Sequence, residues 1–209
     1  MTGVKDQGAC GSCWAFGAIA SMEAAHFEAH GELISMSEQQ LVDCSNYDGG
    51  CNGGWYDTAW HYVHNEGGVQ TETAYPYHAR DQTCRADDSA FVAQVSGCTG
   101  GPGNWVCSNS GMSGDDADLE ALLSGRPVAV AVDATYFQFY QGGIYHSSLC
   151  SSSALNHAIF AVGMGSENGT PYYIVKNSWG KSWGEDGYIR MQRGLNLCGI
   201  ADYPGYAIA

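Results

Sequence analysis

The chain has 209 residues, 44% of them hydrophobic and only 14% charged, with 29 glycines and nine cysteines. That length suits one domain or two small lobes around a sizeable core, and the glycine content points to a turn-rich fold rather than a helical bundle. A formal net charge of −14, with only eight unclustered basic residues, excludes a nucleic-acid footprint and makes an anionic membrane surface repulsive.

The first half reads as helices separated by glycine-rich turns. Ser12 to about Ala29 is apolar and alanine-rich, which predicts a helix from Cys13. Ser37-Glu38-Gln39-Gln40 has the form of a capping box, with Ser37 as N-cap, Gln40 reaching back and a short helix running to about Cys44. A third helix is expected from Trp55 to His64, with Trp55, Ala59 and Val63 on one face and Gly67-Gly68 as its stop. Ser96 to Asp115 is rich in Gly, Ser and Cys and reads as a long loop. The period then changes. After a short helix from Ala117 to Leu123, strands are expected at Pro127–Val132, Ala158–Val162, Tyr172–Lys176 and Tyr188–Met191. A helical part followed by a sheet part is an α+β pattern. There is no stretch resembling a secretory signal or membrane span, no internal repeat and no linker.

Nine cysteines favour an oxidising compartment, and an odd count leaves one thiol over if the rest pair. Cys13 is the candidate nucleophile, because at the start of a helix its sulfur faces unpaired N–H groups that favour the thiolate. The helix end contributes only roughly 0.3–2 kcal/mol. A thiol with a pKa of about 8.5 is about one part in three thousand thiolate at about pH 5, so an imidazolium is also needed. Of seven histidines, His26, His30, His61, His64, His78 and His146 read as solvated or packed. His157 differs: it follows Leu155-Asn156 and opens the apolar strand Ala158-Ile159-Phe160-Ala161-Val162. Further on, Lys176-Asn177-Ser178-Trp179-Gly180 ends another strand, and the Asn177 side-chain carbonyl can accept the histidine's second N–H.

Through Gln7–Phe16, which contains Cys10-Gly11-Ser12-Cys13-Trp14, and through Ser37–Cys44, Gly50–Gly54, Tyr75–Tyr77, Asn156–Ala158 and Lys176–Tyr188, the chain resembles the papain family of cysteine peptidases, close to its cathepsin L branch. The resemblance implies a single papain-like domain of two lobes. The helical lobe would span approximately residues 1–97 and the β-sheet or barrel lobe approximately 98–209, with the active-site cleft between them. It implies cysteine endopeptidase action through a Cys13 thioester. His157 would be the acid and base, Asn177 would orient it, and Trp179 would shield their hydrogen bond. The Gln7 amide and the Cys13 N–H would form an oxyanion hole. Gly53 and Gly54 would pair with an extended peptide. Trp55, Tyr56, Ala131, Leu155, Ala158 and Tyr203, with neighbouring Asn156, would line the substrate site. Tyr203 on the floor of the S2 pocket implies apolar side chains at P2, although a carboxylate, Asp202, is adjacent and a one-residue shift would reverse that inference.

The same resemblance implies disulfides Cys10–Cys51, Cys44–Cys84 and Cys150–Cys198, which leaves Cys98 and Cys107 as a fourth pair outside the expected pattern. It implies no cofactor and no metal. Polypeptide substrates, an inhibitory propeptide and cystatin-type inhibitors are the expected partners of a monomer, with neither nucleic acid nor membrane. The compartment would be lysosomal, vacuolar or secreted. The family's mature chain starts upstream of the position of Met1, so a trimmed chain or a fragment is expected. Asn168-Gly169-Thr170 is a glycosylation acceptor motif in an expected loop, followed by Pro171. The segment between Cys84 and Pro127 lacks the histidine pair of a cathepsin B-like occluding loop, which favours endopeptidase action.

Three other classes compete. A non-catalytic homologue would have lost Cys13, His157 or Asn177. A thioredoxin-like protein would pair Cys10 with Cys13. A zinc module would need a second close pair of ligands, and His61 and His64 sit on a predicted helix far from Cys10.

Overall fold

Helix α1 (Cys13–His30) is apolar nearly all round, and the computed structural model, which describes residues 1–101, 107–108 and 114–209, buries it accordingly. Trp14, Ala15, Ala18, Ile19 and Met22 are all enclosed. The helix stops at Gly31, whose φ of 72° is left-handed and whose N–H returns to the Phe27 carbonyl at 2.8 Å.

Helix α2 (Glu38–Cys44) realises half of the expected capping box. The Ser37 hydroxyl accepts the Gln40 N–H at 3.0 Å. The Gln40 side chain does not reach back. Its amide nitrogen donates to the Gly68 carbonyl at 3.2 Å and its oxygen accepts the Gln70 N–H at 2.8 Å. The Ser37 N–H is satisfied instead by the Gln70 carbonyl at 3.0 Å. A neighbouring backbone segment, invisible to local sequence reading, took both bonds.

Helix α3 (Tyr56–Glu66) starts one residue later than expected and ends at Gly67, with φ 89°. Ala59 and Val63 are fully buried, but Trp55 is the N-cap and is 36% exposed, so it does not share their face.

The remaining elements are β1 (Gly97–Gly100), β2 (Cys107–Ser108), α4 (Asp116–Leu123), β3 (Val128–Val132), β4 (Ile144–Tyr145), β5 (His157–Glu167), β6 (Thr170–Lys176), β7 (Tyr188–Gln192) and β8 (Gly205–Ile208). Among the described residues the strands form one sheet in the order β2-β1-β8-β3-β5-β6-β7-β4. The segment read as a loop from Ser96 therefore holds a strand: β1 pairs antiparallel with β8, Gly97 opposite Ile208. Gly-Cys-Thr-Gly has no hydrophobic alternation, so its pairing comes from the partner. Residues 102–106 and 109–113 of the expected loop lie outside the described residues. Strand β5 runs five residues past its expected end and turns at Asn168-Gly169, with φ 50° and 82°, into β6. Asn-Gly with both φ positive is the favoured two-residue hairpin turn.

The sheet divides two cores, and β3 shows why. Its sequence is Val-Ala-Val-Ala-Val, and successive side chains of a strand point to opposite faces. Ala129 and Ala131 join the core of Trp14, Ile19, Leu41 and Trp60, where small residues let α1 approach. Val128, Val130 and Val132 join the core of Leu119, Phe137, Tyr173 and Ile189. In β5, Ala158 and Phe160 face the first core while Ile159 and Ala161 face the second. Cys98, Cys107 and Ala207 also pack into the first core.

All four expected disulfides are present: Cys10–Cys51, Cys44–Cys84, Cys98–Cys107 and Cys150–Cys198. Near the N-terminus, the Gln7 N–H donates to the Ser178 carbonyl at 2.9 Å and Lys176 Nζ donates to the Thr2 carbonyl at 3.1 Å. This arm carries Gln7 across to the end of β6. No helix among the described residues is long and apolar enough to cross a membrane.

Candidate active site

Cys13 begins α1, half-buried, and is the one free cysteine among the described residues. Burial pushes its thiol pKa up, but the hydrogen bond and charge of His157 and the N–H groups of Ala158 and Trp14 outweigh burial and hold it below the ordinary thiol value. A Cys10–Cys13 redox pair is excluded, because Cys10 is bonded to Cys51.

His157 is the first residue of β5 and is buried. Its Nε2 lies 2.7 Å from Asn177 Oδ1, which also accepts the Ser178 N–H at 2.8 Å. The Ser178 N–H identifies this atom as the amide oxygen, which carries no hydrogen and can only accept, so we assign a ring proton to Nε2. The Trp179 ring lies over the imidazole with centroids 4.9 Å apart at 34°, and Trp183 braces Trp179 edge-on at 5.2 Å. A thiol against a ring fixed in this way can become a thiolate–imidazolium pair.

Gln7 is buried and its amide is fixed at both ends. The oxygen accepts the Ser178 hydroxyl at 2.7 Å, and the nitrogen donates to the Cys10 carbonyl at 3.0 Å. An amide nitrogen has two hydrogens, so one remains for a group in the cleft. Ser178 lies inside the Asn177–Gly180 block, but its grip on Gln7 was not evident from the sequence; only the crossing of the N-terminal arm brings the two together.

These groups line one cleft of about 420 Å³. Its walls bring together Gln7, Cys13 and His157 with Gly53, Gly54 and Trp55 on one side and Ala131, Leu155, Asn156, Ala158 and Trp179 on the other. Asn177 stands just behind His157. Gly54 is obligatory: a Cβ there would come within 2.4 Å of Asp48 Oδ1 and 2.8 Å of the Trp14 ring. Asp48 is a further residue that sequence reading missed. Its carboxylate accepts the Trp55 N–H at 3.0 Å and the hydroxyls of Thr58 and Ser45 at 2.6 Å each, and so fixes the Gly53–Trp55 wall.

Two expected wall residues are placed differently. Tyr56 is fully enclosed, packs on Trp60 with centroids 5.4 Å apart and donates its hydroxyl hydrogen to the Tyr203 carbonyl. As the first residue of α3 it points into the core, so it supports the cleft from beneath and does not line it. Tyr203 is 40% exposed and lies edge-on to Trp55 at 6.0 Å, outside the walls named above.

A buried ionic cluster lies behind the site. Lys5 Nζ donates to Glu38 at 2.7 Å, to the Met36 carbonyl at 3.1 Å and to Glu23 at 3.3 Å. Burial pushes the Glu38 carboxyl up to about 8 against the lowering effect of Lys5. Glu38, Lys176 and Asn177 share the lining of a small cavity between the two cores. Among the described residues no group of three or more His, Cys, Asp or Glu side chains could hold a metal ion.

The family model described as papain family cysteine protease matches residues 1–208. "Digestive cysteine proteinase 1" of Homarus americanus is 50% identical over 207 residues, covering 96% of this chain and 62% of that protein. "Cathepsin L-like peptidase" of Aedes aegypti is 45% identical, covering 100% of this chain and 60% of that protein. The chain thus spans less than two thirds of the length of these relatives. Among solved structures, digestive procathepsin L 3 of Tenebrio molitor larval midgut superposes with a TM-score of 0.91 at 44% identity, covering 100% of this chain and 67% of that one. The bromelain protease of Ananas comosus, solved with the E64 inhibitor, gives 0.87 at 39% identity, covering 99% and 93%. With its free thiol, its histidine and its two-core α+β fold, the chain belongs to the papain family of cysteine proteases, on the cathepsin L-like branch.

Proposed function

We propose that the chain is the catalytic unit of a cysteine endopeptidase that hydrolyses peptide bonds in polypeptides. The observation that carries this reading is the free Cys13 thiol sharing one cleft with His157, which holds it below the ordinary thiol value, while the Nε2 of that histidine is held 2.7 Å from Asn177. The Cys13 thiolate attacks the scissile carbonyl carbon, forming a C–S bond. The oxygen takes up the negative charge and is stabilised by the free Gln7 amide hydrogen and the Cys13 N–H, which the first turn of α1 leaves without a helical acceptor. The C–N bond breaks as imidazolium His157 gives its proton to the leaving amine. Water then attacks the thioester, its proton passing to His157. The carboxylic acid leaves, and the thiolate–imidazolium pair is restored. Trp179 keeps water from the His157–Asn177 bond.

An extended peptide would pair with the Gly53–Gly54 backbone. The apolar walls formed by Trp55, Ala131, Leu155 and Ala158, with Tyr203 at the margin, support a preference for apolar side chains at P2. A single two-lobed peptidase unit, active as a monomer, is the organisation we propose. The four disulfides support an oxidising compartment, lysosomal, vacuolar or secreted. A propeptide and cystatin-type inhibitors are proposed partners. Asn168, exposed on the β5–β6 turn, is a proposed glycosylation site.

A positional-scanning peptide library tests the reading, with Cys13→Ala as control and a thiol-directed epoxide as label. Turnover with apolar P2 residues, and loss of both turnover and label in the control, is the expected result. Turnover retained by the control would overturn it.

A further inference from the structure

One buried carboxylate next to the site is unused by this chemistry. Asp133 follows β3 and is 5% exposed. Its Oδ1 accepts the Thr135 N–H at 3.0 Å, the Thr135 hydroxyl at 2.5 Å and the Asn156 side-chain amide at 3.2 Å. Its Oδ2 accepts the Ser151 N–H at 2.7 Å, and its own N–H donates to the Cys198 carbonyl at 2.9 Å. Burial pushes this carboxyl up, but the bonds from Ser151, Thr135 and Asn156 outweigh burial and hold it below the ordinary carboxylate value.

Asn156 is the link to the site. Its Oδ1 accepts the Ala134 N–H at 2.9 Å, its amide nitrogen also donates to Thr135 Oγ1 at 3.2 Å, and its backbone N–H donates to the Val132 carbonyl at 3.0 Å. The next residue is His157. In the β3–β5 ladder Val132 opposite His157 is the last rung. On its N-terminal side, then, the histidine backbone is restrained by the bonds of Asn156 rather than by a further rung. Ser151 is reached by the same carboxylate and adjoins Cys150, which is stapled to Cys198. A single charge thus gathers the end of β3, the disulfide-bonded segment and the residue before His157.

We propose that Asp133 is a positioning residue for the reaction: through Asn156 it sets the place of the His157 ring against the Cys13 sulfur. This deepens the peptidase reading and rests on it. The rival role is a plain loop staple, whose loss would loosen the Leu155 edge of the cleft and weaken substrate binding alone.

The test uses the full chain with Asp133→Ala and Asp133→Asn. Two quantities are measured: the pH dependence of Cys13 alkylation by iodoacetamide, which reports the thiolate without turnover, and kcat and KM on a fluorogenic peptide. In Asp133→Ala the alkylation midpoint should rise by about one pH unit toward that of an ordinary thiol, as the histidine drifts from the sulfur. Its kcat should fall about 10²-fold, the cost of a misplacement of about 1 Å, with KM moving much less. Asp133→Asn keeps an acceptor oxygen and should recover part of both. An unchanged alkylation profile, or a change confined to KM, would overturn the proposal. If Asp133→Ala does not fold, Asn156→Ala cuts the same link from the other side and must show the same midpoint shift. A wild-type chain with a low alkylation midpoint but no peptide turnover would defeat the peptidase reading alone, since the alkylation profiles still decide the role of Asp133.

Discussion

The two walls of the cleft are held by different means. The Cys13 wall is tied by main chain and covalent bonds: α1 is embedded in the first core, Cys10 is bonded to Cys51, and the Gly11 N–H donates to the Cys51 carbonyl at 2.9 Å. The His157 wall stands on the β3–β5 ladder, and the ring itself is set by side chains, with Asn177, Trp179 and Asn156 each making a contact that one substitution removes. The nucleophile is therefore placed by main chain and disulfide, whereas the ring of its partner is oriented by a side-chain network. Damage to the second wall should cost function before it costs stability.

The comparison can be broken most sharply at Cys13. Cys13→Ala should lower peptide turnover on the order of 10⁴-fold or more while leaving the melting temperature close to that of the parent. Substantial remaining turnover would show that the reactive group lies elsewhere. Gln7 sharpens the network side. Gln7→Ala should reduce kcat by about 10²–10³-fold with a small change in KM, because its free amide hydrogen serves only the charged intermediate. A pure KM effect would place Gln7 in ordinary substrate binding.

Disulfide removal probes the covalent side in denaturant titrations. Cys150–Cys198 spans 48 residues and Cys98–Cys107 spans nine. Loop entropy then predicts losses of about 4 and about 2.6 kcal/mol respectively. An inverted order would mean that the β1–β2 pairing depends on its bridge for more than chain entropy.

Solvent pH is the gentlest lever. Burial pushes the native Glu38 carboxyl up to about 8, above its ordinary value of 4.5. Between those values the native state binds more protons, so this contribution to stability is complete in acid and is lost as pH rises through the window. Lys5, raised above 10.5, adds a contribution that is lost only in stronger alkali. His26 and Cys13, both held below their ordinary values, act in the opposite sense over part of this window, so the Glu38 contribution is read as a difference: from pH 5 to pH 8 the parent should lose stability relative to Glu38→Gln. Parallel melting profiles for the two would remove the Glu38 cluster from the account.

Much of this was legible beforehand where signals are local. The start of α1 at Cys13, the stop at Gly67 and the valine-rich β3 all follow from side-chain size, glycine conformation and period. The Gln40 side chain, the short β1 and the buried Tyr56 were not legible, because each is settled by a partner distant in sequence: Gly68 and Gln70 for the first, β8 for the second and Trp60 for the third.

By itself the amino-acid order determined the inventory: one thiol left over from nine if the rest pair, a histidine opening an apolar strand and an asparagine ending another. Those identities are chemical and need no coordinates. Tertiary structure alone decided which charges share a dry space, which side of α3 Tyr56 takes, and that Asp133 stands behind Asn156. Such choices depend on distances between remote segments, and hydrogen bonding and desolvation act over only a few ångströms.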